Sequence, residues 1–473
     1  MNYKSILFYL GIYSLLVSIF SILNILYSIY FNFNLDLDSY IFTFLISAIT
    51  GVLFFYLGFK DYKKISLNEQ LVTIILTFLF IPFLISIPYY LSIYDINFLN
   101  AYFESVSGFT TTGFSIIESV KTLDEPLLLW RASSQWLGGL LFLIFTIGTI
   151  GSKQIKIKPA YLISGGTSGR NFYNNFNYNF IKILLIYFLL TIIIIFSYKL
   201  LDMRLLDAFA LSFTTVSSGG FLPVDNLSTI IETNFQTFVL SITLLIPIFN
   251  FYLLHDIFTK EFSLKNNLED LHLLMLIILI TFFFYFFVIP DEGFLNVLFA
   301  IVSSLSTSGI STYSSNFDLS LFFILLTIIG GSLVSTSSGF KYTRFYILLK
   351  ISYQEIYRLV KPINIIDKKL FNVESKIDDQ DVKIAFLVFI FFIASIFILA
   401  SLLTFENLNF EDSFKLSILT LTNTVNSTLY GTENLDFFNF NLFTKVSLIL
   451  FMVLAKVEII AVIYLIRKVI FKE

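Results

Sequence analysis

The length of its apolar runs bounds this chain more tightly than any other feature. Leu71 to Tyr94 and Tyr178 to Leu200 each reach the roughly 20 residues a helix needs to cross a hydrocarbon core of about 30 Å. Comparable runs recur from end to end and mark ten spans, at residues 5 to 30, 39 to 59, 70 to 94, 126 to 151, 178 to 200, 233 to 258, 271 to 289, 319 to 350, 382 to 404 and 441 to 466. At 57% hydrophobic and 13% charged residues, with mean hydropathy +0.84, the chain is no soluble globule. An all-α polytopic protein in contact with membrane lipids follows. The first run, Ile6 to Tyr30, imitates a signal peptide, but it is long and lacks a small-residue cleavage site, and it reads as a retained helix.

Composition removes several chemistries. There is no cysteine, hence no disulfide, thiolate metal site or Cys nucleophile. Two histidines, His255 and His272, argue against a histidine-based metal centre, and neither a cofactor nor a nucleic-acid partner is expected. The net charge of −3 hides an uneven distribution. Lys60, Lys63, Lys64, Lys153, Lys156, Lys158, Arg170, Lys341, Arg344, Arg358, Lys361, Lys368, Lys369, Arg467, Lys468 and Lys472 fall on one side, which the positive-inside rule makes cytoplasmic, with both termini there. The other side carries acids such as Asp36, Asp95, Glu118, Asp225, Asp291 and Glu433. They are solvated loop charges or a means of concentrating cations at an outer face.

The outward connections after residues 94, 200, 289 and 404 are too long for turns. Three of them align without a gap, as Asn100 to Thr110-Thr111-Thr112-Gly113, Asp207 to Ser217-Ser218-Gly219-Gly220, and Asn296 to Ser306-Thr307-Ser308-Gly309. In each, an Asn or Asp stands thirteen residues before the glycine, and Asp412 to Thr422-Asn423-Thr424-Val425 keeps that spacing. The acid or amide suits the first turn of a short helix, where orphan N–H groups seek an acceptor. Each unit therefore reads as helix, short helix, extended Ser/Thr/Gly segment and helix. Four such units around one pore follow two extra N-terminal helices. The divisions are an N-terminal helix pair at 1–64, then repeats at 65–169, 170–262, 263–381 (with a cytoplasmic segment) and 382–473.

Non-helical backbone at membrane depth is tolerated only inside protein or along a wet cavity. Four such segments imply a shared axis. Rings of backbone carbonyls can replace a cation's hydration shell, and glycine permits the angles that aim them inward. The carbonyls of Thr111, Thr112, Ser218, Gly219, Thr307, Ser308, Asn423 and Thr424 are the candidate ligands. The short helices point negative C-terminal ends at the same axis, which favours a cation.

At these motifs the chain resembles the Trk/Ktr/HKT superfamily of potassium transporters, and within it the TrkH-type subunits. The resemblance rests on Ser107 to Ser115, Trp130 to Gly139, Phe213 to Phe221, Gly330 to Lys341 and Leu454 to Ile459, and covers nearly the whole chain. It implies potassium as the transported substrate, no enzymatic chemistry, a bacterial inner membrane, a homodimer and a cytosolic nucleotide-binding Trk regulatory subunit. The stretch Lys350 to Lys383, with mixed charge, is the docking candidate or a solvated linker.

Three features stand apart. Gly330, Gly331 and Gly339 interrupt an apolar helix, as a packing kink or, by the resemblance, as an intramembrane gate loop. Lys456 lies about ten or more residues from either end of its span, too far to snorkel, and by the resemblance takes the place of an Arg acting as a charge barrier. Glycine is expected in all four filters, yet the fourth has Val425. Either that loop stays in ordinary extended backbone, or its register slips to Gly431. Both options leave sodium or mixed potassium and sodium transport as an alternative. A polytopic membrane enzyme is the reading from another class, and it lacks clustered acids, His or a nucleophile at one depth.

Overall fold

The structure, a computed structural model, describes residues 3–33, 35–60, 67–150, 176–259, 267–312, 319–361, 371, 377, 379–406 and 408–457. Among them sixteen α-helices are found and no strand. Seven helices are long and apolar enough to cross a membrane. Their outward faces carry apolar side chains such as Ile49, Phe196, Leu279 and Phe287, all more than 60% exposed, as a hydrocarbon solvent demands.

Helices α1 (Tyr3–Tyr30) and α2 (Leu37–Gly58) form the N-terminal pair. The first repeat is α3 (Leu67–Ser92), α4 (Phe98–Phe109) and α5 (Glu125–Ile150). The second is α6 (Phe176–Lys199), α7 (Leu205–Ser217), α8 (Asn234–Thr243) and α9 (Phe251–Thr259). The third comprises α10 (Leu268–Phe283), continued by a π turn to Val288, α11 (Phe294–Leu305), α12 (Ser320–Ile329) and α13 (Tyr342–Val360). The fourth is α14 (Asp379–Thr404), α15 (Phe410–Leu421) and α16 (Leu442–Val457).

Packing closes these repeats into a ring. Each short helix, α4, α7, α11 or α15, packs on the first helix of its own repeat and on an inner helix of the repeat before it, with α16 meeting α4. Repeat 2 therefore stands opposite repeat 4. The sixteen helices thus realise the expected two plus four units.

One span departs from the sequence reading. Residues 233 to 258 form no continuous helix, because α8 stops at Thr243 and α9 begins at Phe251. Pro247 lies in the gap, where it has no amide to donate to a helix. The expected interruption of 319 to 350 is present, from Gly330 to Lys341. These two breaks satisfy each other: Ser332 N donates to Ile248 O at 2.8 Å, Ser337 N to Pro247 O at 3.1 Å and Phe251 N to Val334 O at 2.7 Å.

The N-terminal pair crosses closely because small residues face each other. A Cβ added at Gly11 would lie 2.9 Å from Gly51 O and 3.0 Å from Phe55 Cα. Gly11→Val is expected to push α1 from α2 and cost about 1–3 kcal/mol, the usual penalty of overpacking. A lower thermal midpoint of the purified chain in detergent checks it.

Candidate functional site

The four short helices end alike. Thr111, Ser218, Thr307 and Asn423, equivalent in the four repeats, all take left-handed backbone, with φ of 57°, 56°, 59° and 46°. For residues other than glycine each such conformation costs about 1–3 kcal/mol, and four at one register mark a constrained site. The turn is a Schellman-type helix stop. Its hydrogen bonds run from Thr112 N to Ser107 O (2.9 Å), from Gly219 N to Thr214 O (2.8 Å) and from Thr424 N to Leu419 O (2.9 Å). In the third repeat Ser308 Oγ donates to Ser303 O at 3.3 Å instead.

Hydroxyls brace the next residues. Thr110 and Thr112, Ser306 and Ser308, and Thr422 and Thr424 pair through their side chains at 2.8–2.9 Å. Amides and hydroxyls are thus used inward, toward the helix ends. Among the described residues, no hydrogen bond engages the carbonyls of Thr111, Thr112, Ser218, Gly219, Thr307, Ser308, Asn423 or Thr424. The side chain of Asn423 donates to Thr112 Oγ1 (2.9 Å) and Met452 O (3.1 Å), while its Oδ1 is buried without a donor.

The fourth loop keeps its register. Gly431, with φ of 62°, ends a separate 3₁₀ turn, Thr428–Tyr430, and Val425 stands level with the glycines in backbone that is not left-handed. Glycine at all four positions was expected, but the angles require it only at Gly113 (φ 88°) and Gly309 (φ 66°). The residues thirteen before the glycines also differ from expectation. They lie in the first helical turns, yet Asn97, not Asn100, caps α4 by accepting from Asn100 N at 2.8 Å. Asn100 instead accepts from Lys445 Nζ at 2.6 Å, and Asp207 pairs with Arg204.

The Gly330 to Gly339 segment lies directly beneath this cluster. Ser218 Oγ donates to Thr336 O (3.0 Å), Thr336 Oγ1 to Val216 O (3.0 Å), and Ser338 N to Thr307 Oγ1 (2.9 Å). Lys456, fully buried, joins the same floor by donating to Thr111 Oγ1 (2.6 Å) and Ser338 Oγ (3.0 Å), with its ammonium 4.4 Å from the Phe142 ring centre. Every left-handed residue except Asn423 is therefore tied to the loop or to Lys456.

Several supports were not legible as site residues. Lys341 and Arg344, counted above as cytoplasmic loop charges, are buried. Lys341 Nζ donates to Ser337 O (2.5 Å) and Ser335 O (3.3 Å), inside the loop it follows. Asp270 accepts from Asn250 N (2.8 Å) and Ser332 Oγ, and Glu269 from Leu333 N (3.0 Å) and Thr343 Oγ1, fastening the loop base to α10. Behind the first two filter segments, buried Glu104 and Arg131 meet at 2.9 Å. Glu104 accepts from Ile116 N (2.9 Å), Arg131 covers the Phe221 ring at 4.1 Å, and Gln135 accepts from Phe221 N (3.2 Å). Within Lys350 to Lys383, residues 362–370, 372–376 and 378, and likewise Glu458 beyond Lys456, lie outside the described residues.

Fold and site together define a membrane protein of four helix, pore-loop, helix units closed around one axis. A family model, TrkH, described as cation transport protein, matches residues 37–266. An uncharacterised cation transporter of Methanocaldococcus jannaschii is 27% identical over 84% of this chain and 82% of its own. The Trk system potassium uptake protein TrkG of Escherichia coli is 26% identical over 88% and 90%. The crystal structure of the potassium transporter TrkH from Vibrio parahaemolyticus superposes with a TM-score of 0.83, at 22% identity, over 98% of both chains. These matches, to transport proteins, bear out the resemblance to the TrkH-type proteins of the Trk/Ktr/HKT superfamily.

Removing one partner of the buried Glu104 and Arg131 pair leaves an uncompensated charge. Arg131→Met is expected to destabilise the chain by about 3–5 kcal/mol, and adding Glu104→Gln to recover part of it. Thermal unfolding of the single and double variants in detergent measures both effects.

Proposed function

We propose that this chain is the potassium-translocating pore subunit of a Trk-type uptake system, with the ring of left-handed loop residues as its filter. One observation carries the reading. Four equivalent segments converge with amides folded back onto their own helix ends and, among the described residues, eight carbonyls free of hydrogen bonds, the arrangement in which carbonyl oxygens can stand in for water around a cation. Potassium is the substrate, and the protein does no covalent chemistry. Gly330 to Gly339 acts as the gate, since its hydrogen bonds reach the filter floor from below. Lys456 sets the charge barrier, because its ammonium rests on the filter itself.

A mixed potassium and sodium path is the second reading, favoured by Val425 at the place of a fourth glycine. The relatives named as Trk system uptake proteins support the first. Insertion in a bacterial inner membrane with both termini cytoplasmic accords with the Lys and Arg asymmetry. A homodimer and a cytosolic nucleotide-binding regulatory subunit follow from the resemblance, with Lys350 to Lys383 as the docking segment.

Rubidium and sodium flux into liposomes containing the purified chain tests the reading. Gly113→Ser forces a side chain onto backbone at φ 88°, with its Cβ 3.0 Å from Val425 Cβ. Potassium preference over sodium is expected to fall about tenfold, equivalent to a relative barrier change of ~1.4 kcal/mol. Unchanged permeability ratios would remove Gly113 from the filter.

An ammonium below a cation filter repels each arriving ion. Lys456→Ala is therefore expected to raise maximal flux several-fold with little change in selectivity, while Lys456→Arg keeps the charge and holds flux near the parent's. If alanine leaves the flux per folded molecule where it was, the lysine is structural.

A further inference from the structure

Val425 does more than replace a glycine. A Cβ added at Gly113 would lie 3.0 Å from both Val425 Cβ and Cγ2, one at Gly309 would lie 2.9 Å from Val425 Cγ1, and one at Gly220 would lie 2.8 Å from Val425 Cγ1. The isopropyl group thus sits against the equivalent glycines of all three other repeats. The ring order fixes what this means. Repeats 1 and 3 flank repeat 4, so Gly113 and Gly309 are neighbours of Val425, but Gly220 belongs to the repeat opposite. A side chain from repeat 4 that touches repeat 2 crosses the centre of the ring.

Its level is the outer end of the filter. Thr111, Ser218 and Thr307, two positions before the glycines of their own repeats, rest on the 330–339 loop or Lys456, whereas Val425 to Ser427 are half-buried and Thr428 is exposed. Gly220 is not among the residues with left-handed backbone, so its angles place no demand for glycine. The space taken by Val425 does.

We propose that the Val425 side chain is an apolar outer gate, an isopropyl plug across the filter mouth that must swing aside before a cation enters. This rests on the pore reading above. A cation at this level meets hydrocarbon where a carbonyl or hydroxyl is needed, and a narrow apolar constriction also sheds water, so both hydrated and bare ions are held back. The constriction is separate from the gate loop, which closes the inner end. Entry and exit are therefore controlled by different elements, one from repeat 4 and one from repeat 3.

The test uses the full chain in liposomes with rubidium influx as readout. Val425→Gly clears the axis, and flux is expected to rise about tenfold, equivalent to a barrier lowered by ~1.4 kcal/mol. Val425→Thr keeps the shape and adds a hydroxyl, so its flux is expected to fall between parent and glycine variant. Because the chain has no cysteine, Val425→Cys introduces its single thiol. A cationic methanethiosulfonate applied from the outer side is expected to abolish flux through that variant, whether or not the glycine variant folds. A folded Val425→Gly conducting no faster than the parent, or a cysteine variant indifferent to the reagent, overturns the plug. A parent and variants that all fail to conduct overturn the pore reading itself, whereas a conducting parent with either failed test overturns only the assignment of Val425.

Discussion

Everything polar in this fold answers to one constraint: within a bilayer, a backbone group that leaves its helix must find another partner or a wet surface. Among the described residues, six segments leave their helices at membrane depth, the four loops and the two breaks at 244–250 and 330–341. The breaks solve the problem by pairing with each other through Ile248, Pro247 and Val334 carbonyls. The loops solve half of it, folding their amides back onto the helix ends and leaving a set of carbonyls unengaged. That residue of unmet hydrogen-bonding capacity, arranged in a ring, is what a dehydrated cation can use.

Charge is handled in two ways inside the same protein. Where rigidity is needed, acids and bases are matched, as Glu104 with Arg131 behind the first two loops, or acids accept from amides and hydroxyls, as Glu269 and Asp270 do at the foot of the 330–341 segment. Lys456 is treated differently, with two hydroxyls and the face of Phe142 around it among the described residues. Lys341 lies 5.6 Å from the same ring. Two ammonium groups near one ring repel each other, and the Ser335 and Ser337 carbonyls that Lys341 donates to offset part of that cost.

Length and repetition were the legible parts of the sequence. Apolar runs marked the spans, 233 to 258 excepted, and a shared spacing of thirteen residues located the loops, because both depend on local composition. The left-handed helix stops carried no sequence signal for a physical reason: such a stop is usually glycine, yet here they are Thr111, Ser218, Thr307 and Asn423, two residues before the filter glycines and Val425. Nothing in a Thr or Ser marks it as left-handed when tertiary packing imposes the angle. The break at 244–250 did carry a signal, Pro247, outweighed by the continuous apolar run around it. Lys341 and Arg344 were hidden by the positive-inside rule, which counts charges near helix ends without asking whether they fold back into the protein.

The repeats are equivalent in topology and unequal in chemistry, and the inequality has an order. Opposite repeats 1 and 3 carry glycines in left-handed backbone, Gly113 and Gly309, whereas opposite repeats 2 and 4 carry Gly220 and Val425 outside that region. The angles alone would admit a side chain at either member of the second pair. Sterics admit only one, since a Cβ at Gly220 would run into Val425. Once repeat 4 had taken valine, the glycine of repeat 2 became obligatory for lack of space, a reason different from the one that holds at Gly113. The same residue type is thus required at three equivalent positions by two distinct physical causes, and a sequence motif cannot separate them.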